Sequence, residues 1–505
     1  MKVRLLLSGL LLTAIVIIFN SCGNTGRNSQ QVNGIKIYSE NPWYWEYKGK
    51  PVLLIGGSAE DNLFQYPNNY YDDDADSLEE HLDKLVAAGG NYVRNTMSSR
   101  NPGNLFPYVK IQGEPGINTT ADIYDLGQWN DEYWKNFANF LSMCAERDII
   151  VQIELFDRFD LHQAESKQGN AEFRGLQNTG WEVHPWNPDR NINYTEVTSG
   201  LRGGELAGMS DENELYFSVP TLAMNTKSPQ PIVLTTLQNY VERLLSISLM
   251  YDNVLYVIEN ESDQPMEFGE YWISFLQNQA AEAGKAIFVS NMRNNPDPAS
   301  SEQQSVLHNN IYTFFDFSQN NHNYGQEHYD NIIELRESIQ TSPKPINNVK
   351  IYGGVLYENG VEEGKKRMWR AIFSGVAAVR FHREGSIATG YGIGLNEDSR
   401  QWILSARTFT DYFNFFECEP RNDLLGNRNE DEAYCLAQPG RQDAVYFTDG
   451  GSVTLDMTGA SGVFNLRWLD IASSEWGRST VITGGNSYEL NAPSDGQWAV
   501  LITKQ

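Results

Sequence analysis

The chain has 505 residues, a formal net charge of −27 and a hydrophobic content of 40%. That length exceeds one ordinary domain but accommodates a barrel of roughly 250 to 400 residues with one small partner. The charge argues against a nucleic acid or an acidic polysaccharide as partner, because no Lys/Arg cluster reverses it locally.

Residues 1–22 read as a targeting segment. Lys2 and Arg4 precede an apolar run at 5–19 that is short for a membrane-spanning helix, and Ser21-Cys22 sets a small residue before a cysteine. This resembles a bacterial lipoprotein signal with Cys22 as the lipidated residue, which predicts an exported chain held at the membrane by its lipid alone. Phe19 and Asn20 depart from the pattern and keep plain secretion open. Residues 23–34 form a polar tether.

Trp43-Tyr44-Trp45-Glu46 and residues 51–55 predict a hairpin turning at Lys48-Gly49-Lys50 and leading into a first strand that Gly56-Gly57 ends. Asp72-Asp73-Asp74 with Asp76 lacks the Gly and terminal Glu of an EF-hand loop and reads as a solvated helix start. Ser77 and Glu80 form a capping box for a helix that buries Leu78, Leu82, Leu85 and Val86. A second strand at 91–96 is followed by a helix at 130–147, with Cys144 on its apolar face, and by a third strand at 149–153. The irregular stretch at 156–230 is read as the wall of a cleft, lined by Trp181, His184 and Trp186, since compact domains rarely keep such a loop without a job for it. Strands four to eight are predicted at 254–258, 286–290, 311–315, 345–352 and 377–382, alternating with helical patterns. Continuous apolar strands suit a parallel sheet covered on both sides, so the expected fold is α/β, a (β/α)8 barrel over 35–425. Short runs separated by Gly, Asp and Ser turns then predict an antiparallel β-sandwich over 426–505. Cys418 and Cys435 flank the junction, and their pairing in an oxidising compartment is open.

In such a barrel the reacting groups sit at the carboxyl ends of strands. Those ends supply Asp61, Arg94, Asn95, Glu154, Asp157, Glu259, Asn260, Glu261, Asn320, His322, Lys350 and His382. The set is acidic, and glycosidic cleavage needs one carboxylic acid to protonate the departing oxygen and a second carboxylate to attack the sugar or activate water. No phosphate loop, zinc spacing or nucleophile elbow competes, so neither cofactor nor metal is expected. Plain alternatives stand beside these roles: Glu154 as a scaffold partner of Arg158 or Lys350, Glu259 and Glu261 as salt-bridged strand ends, and the two histidines as hydrogen-bonded walls. The 12 Trp and 26 Tyr fit sugar stacking and core packing equally.

Lys48-Gly49-Lys50-Pro51-Val52-Leu53-Leu54, Asp252-Asn253-Val254-Leu255-Tyr256 leading to Asn260-Glu261, and Lys344-Pro345 resemble the clan A glycoside hydrolases, most closely the apiosidase-like group. Ala437-Gln438-Pro439-Gly440-Arg441, Gly451-Ser452-Val453-Thr454-Leu455 and Ala492-Pro493-Ser494-Asp495-Gly496-Gln497-Trp498 look like the collagen-binding-type sandwich of that group. The resemblance implies Glu261 as general acid/base, Asn260 as partner of the sugar 2-hydroxyl, Arg94 as the strand-two arginine and His322 as the residue steadying the catalytic carboxylates. It also implies a nucleophilic carboxylate soon after Lys344-Pro345, where Lys350 stands instead. An ammonium cannot attack an anomeric carbon in that way. Either Glu154 or Asp157 takes the second role, Glu358 folds back, or the barrel binds sugar without cutting it. The expectation is a glycoside hydrolase with Glu261 as proton donor and Glu154 as second carboxylate, and with Trp181 and Trp186 among the residues around the saccharide. The alternative is a non-hydrolytic carbohydrate-binding or scaffold lipoprotein.

Overall fold

The computed structural model describes residues 34–66, 76–99, 103–114, 118–162, 180–206, 212–353, 360–383 and 392–505. Cys22, the tether up to residue 33, the acidic run at 72–74 and Glu358 lie outside them.

Trp45–Tyr47 and Lys50–Val52 pair antiparallel across Lys48 and Gly49, whose φ angles of 51° and 76° give the twist a two-residue hairpin needs. The hairpin plugs the amino end of a barrel. The Trp45 indole lies edge-on to Phe288 and Phe314 at 5.5 Å each and donates from Nε1 to Asn347 Oδ1 at 3.1 Å.

Eight parallel strands form that barrel: Leu54–Gly57, Tyr92–Thr96, Ile150–Asp157, Val254–Asn260, Val289–Ser290, Phe315–Asp316, Ile346–Ile351 and Ala378–Phe381. They neighbour one another in sequence order, and the first pairs with the eighth from Leu54↔Ala378 to Gly57↔Phe381. Between the fifth and sixth strands Thr313 bridges, its N–H donating to the Val289 carbonyl at 2.9 Å and its hydroxyl accepting from Val289 N–H at 2.7 Å. Helices follow the strands on the outside. The first, Leu78–Ala87, carries the predicted capping box of Ser77 and Glu80, and the second, Asp131–Glu146, is capped by Asn130.

The structure departs from expectation in three respects. The fifth and sixth strands are shorter than predicted, and the Phe288 and Phe314 side chains just before them pack on Trp45. The third and fourth strands run further, keeping register from Phe156↔Glu259 to Asp157↔Asn260, so their acids stay on the ladder. An unforeseen hairpin, Tyr108–Gln112 with Ile123–Trp129, supports the wall beside the third strand.

Antiparallel strands begin at Glu419–Pro420, which pairs with Ala433–Gln438. The larger sheet continues through Gln442–Phe447, Trp498–Lys504 and Val463–Asp470; a smaller one joins Leu425–Gly426, Ser452–Asp456 and Ser487–Asn491. Side chains alternate across the larger sheet. Cys435, Val445, Phe447 and Val500 face the smaller sheet, whereas Tyr434, Leu436, Tyr446 and Leu501 join the barrel's apolar core. Cys144, Cys418 and Cys435 are free thiols, all buried. Among the described residues no helix is long and apolar enough to cross a membrane.

Candidate active site

The second and third strands carry a buried ion cluster. Arg94 donates from Nε and Nη2 to the two oxygens of Glu154, each at 2.6 Å, and from Nη1 to Asp61 Oδ1 at 2.7 Å. The Thr96 hydroxyl donates to Glu154 Oε2 at 2.7 Å. Register explains the pairing, since Thr96 faces Glu154 across the ladder and Arg94 faces Gln152. Glu154 is therefore paired with Arg94, and both its oxygens are committed. Asp61 also forms an ion pair with Arg383, whose Nε stands 3.0 Å from Oδ2, and His382 Nδ1 stands 3.9 Å from Oδ1. Arg380, sealed at the base of this cluster, donates to the Val349 carbonyl at 2.9 Å and to the Ser58 hydroxyl; burial, reinforced by the charge of Arg94, pushes its pKa down to about 9.

The fourth strand ends in Glu259, Asn260 and Glu261, which the backbone sends to different surroundings. Glu259 is fully buried on the outer side of the strand, where the Tyr216 hydroxyl from the wall donates to its carboxylate. Burial pushes its pKa up to about 7. Asn260 points to the barrel axis, accepting from Lys350 Nζ at 2.5 Å and donating to Asp157 Oδ1 at 2.9 Å. Glu261 adopts φ 55° and forms an ion pair with the same Lys350; its side chain is 14% exposed against 2% for the lysine. Burial lowers the Lys350 pKa and the charge of Glu261 opposes that shift. The seventh strand thus brings an ammonium to Asn260 and Glu261 across the mouth.

Other predicted residues take differing places. Asn320 is buried and occupied, donating to the His328 carbonyl at 2.8 Å and accepting from Asn323 and Asn331 at 3.0 Å each. Asn95 accepts from Leu63 N–H at 2.7 Å. His322 is exposed at the rim, its ring 5.6 Å from that of Tyr352, which in turn meets the His382 ring edge-on at 4.9 Å. Trp181 donates to the Arg202 carbonyl at 2.9 Å and Trp186 to the Tyr108 hydroxyl at 2.9 Å, both buried within the wall. The pocket that Trp186 helps line, with Phe106, Phe156, Asp157 and His184, holds about 20 Å³, room for roughly one water. Sequence reasoning passed over Tyr216 and Arg383. Arg383 directly follows His382 at a strand end and was open to the same reasoning, whereas Tyr216 lies in irregular chain with no periodic signal. Among the described residues no cluster of metal-ligating side chains occurs.

The parallel barrel with mouth-facing acids and an appended antiparallel sandwich defines an α/β protein of the (β/α)8 barrel fold. Its fold is shared with a glycoside hydrolase family 5 protein from Bacteroides vulgatus ATCC 8482, at 14% identity and a TM-score of 0.59, covering 94% of each chain. It is shared also with a protein named only as a glycoside hydrolase, at 13% identity and a TM-score of 0.60, covering 94% of this chain and 98% of that one. No protein-family model matches the chain, and no curated protein matches it.

Proposed function

We propose that the protein is a glycoside hydrolase that cleaves a polysaccharide or oligosaccharide at the mouth formed by Asn260, Glu261 and Lys350. The observation that carries this reading is the placement of Glu261. It is the partly exposed acid at the end of the fourth strand, while Glu154 and Glu259 are sealed. The fold it shares with glycoside hydrolases supports the same reading. Once saccharide hydroxyls draw Lys350 away, the Glu261 carboxylate takes up a proton from solvent and passes it to the departing glycosidic oxygen as the C1–O bond breaks. With Glu154 held by Arg94, Asp157 is the carboxylate we assign to water activation. It takes a proton as the water oxygen bonds to C1, which gives inversion. On the sequence resemblance alone we propose further that the chain belongs to the apiosidase-like branch of clan A with a collagen-binding-type sandwich, and on Ser21-Cys22 that it is exported as a lipoprotein through Cys22.

Incubation with plant and microbial glycans, read as reducing ends released, tests the proposal. E261Q is expected to lose at least 10³-fold in kcat, on the order of what a positioned acid contributes, in a protein that circular dichroism shows still folded, although loss of the Lys350 ion pair lowers its melting temperature. Cleavage by E261Q at the wild-type rate would remove the assignment.

A second reading is favoured by the Lys350–Glu261 ion pair, which puts a cation where clan A enzymes need an anion. On that reading the barrel binds saccharide without cutting it. Calorimetric binding of a glycan that the wild-type protein leaves intact supports this second reading over the first.

A further inference from the structure

Along a strand, residues two apart share a face, so an extended backbone would send Glu261 to the outer side with Glu259, away from the barrel axis. Yet Asn260 and Glu261, adjacent in sequence, both reach Lys350. The φ of 55° at Glu261 resolves this. It is a left-handed conformation that costs any residue with a Cβ, and it turns the carboxylate back over the mouth.

Two buried arginines hold the turn that follows. From the end of the third strand, Arg158 Nη1 donates to the Glu261 carbonyl at 2.9 Å and to Asp263 Oδ2 at 2.5 Å. From the end of the fifth, Arg293 Nη1 donates to Ser262 Oγ at 3.2 Å and to the Gln264 carbonyl at 2.9 Å. The backbone is tied on the same side, with Ser262 N–H on the Met292 carbonyl at 2.7 Å and Asn294 N–H on the Ser262 carbonyl at 3.2 Å. Asp263 accepts also from Asn294 Nδ2 at 3.1 Å. Strand three and strand five therefore grip residues 261–264 from both flanks.

We infer that Arg158 and Arg293 are positioning residues, a two-sided clamp that keeps position 261 left-handed and so aims its carboxylate at the bound saccharide. The inference rests on the reading of Glu261 as proton donor, but the conformational part is testable without any substrate. Glycine is free of the left-handed penalty, so E261G is expected to melt roughly 1 to 3 °C above E261A in the otherwise wild-type chain. In the R158M and R293M backgrounds that gap is expected to close, because an unclamped backbone relaxes to a conformation that Ala adopts freely. A gap that stays the same size in both backgrounds overturns the clamp. Asp263 is 42% exposed, so D263N supplies a background that keeps the fold if the buried-arginine variants do not, and there the gap is expected to shrink. On any glycan that the wild type cleaves, R158M is expected to lose about 10-fold or more in kcat with KM within about twofold, and R158K to recover part of it. Unchanged kcat in R158M also overturns the inference. Failure of the wild type to cleave anything removes the proton-donor reading alone and leaves the melting comparison to decide the clamp.

Discussion

At residue scale, Glu154 and Glu261 show how two glutamates at neighbouring strand ends acquire different work. Glu154 spends both oxygens on Arg94 and takes a third bond from Thr96, in a place with no exposure. Removing its charge leaves the Arg94 guanidinium buried with Asp61 alone, and breaking a buried pair in this way costs about 3 to 5 kcal/mol. E154Q is therefore expected to lower the unfolding free energy by that amount in urea titration, whereas T96V costs about 1 kcal/mol. An E154Q protein as stable as the wild type but catalytically dead would return Glu154 to a chemical role. The sequence identified Arg94, Glu154, Asn260, Glu261 and Lys350 as strand-end residues, because period and position alone mark those ends. It left open which cation meets which anion. Arg158 and Lys350 were as eligible for Glu154 as Arg94, and only the ladder that seats Thr96 opposite Glu154 selects among them.

At the scale of elements, the wall meets the outer side of the fourth strand at a buried polar contact, the Tyr216 hydroxyl on the carboxylate of Glu259. Burial raises the Glu259 pKa from 4.5 to about 7, so the folded state binds a proton that the unfolded chain has already released between those values. Stability from this group is thus greatest at low pH and is lost as pH rises through about 7, by on the order of 3 kcal/mol in all. E259Q keeps the shape and removes the titration. Its unfolding free energy relative to wild type is expected to climb by roughly 2 to 3 kcal/mol between pH 5 and pH 8. The buried His81 and His184, whose pKa values burial pushes down to about 4 and about 3, act in the opposite sense below about pH 6.5 and cancel in the difference. A difference flat across that range would show that Glu259 titrates as an exposed glutamate does. The wall itself was legible only as a long irregular stretch. Its short turns, such as Glu214–Phe217, are fixed by packing against the barrel and leave no period to read.

At the scale of the whole molecule, barrel and sandwich share one apolar core, which explains both what the sequence revealed of their junction and what it hid. Ala433–Gln438 is buried on both faces, with Ala433, Cys435 and Ala437 against the smaller sheet and Tyr434 and Leu436 against the barrel. A strand covered on both sides lacks the apolar-polar alternation of a half-exposed one, so no period marks Ala433–Gln438 within the 426–505 span expected for the sandwich. The joint is aromatic. Tyr446 stacks on Trp369 at 5.5 Å and lies 5.7 Å from Phe373, both on the helix Gly360–Phe373, while Trp476 stacks on Phe409 at 5.7 Å. That helix follows the strand carrying Lys350, so the sandwich braces the side of the barrel that presents the ammonium to Glu261. Y446A opens a cavity among these rings and is expected to cost about 3 to 5 kcal/mol, unfolding barrel and sandwich in a single transition. Circular dichroism in the near ultraviolet, which reports the stacked rings, and tryptophan fluorescence, dominated by the barrel, should then fall together on heating. Two separated transitions would mean that the sandwich is an independent attachment and gives no support to the geometry of the mouth.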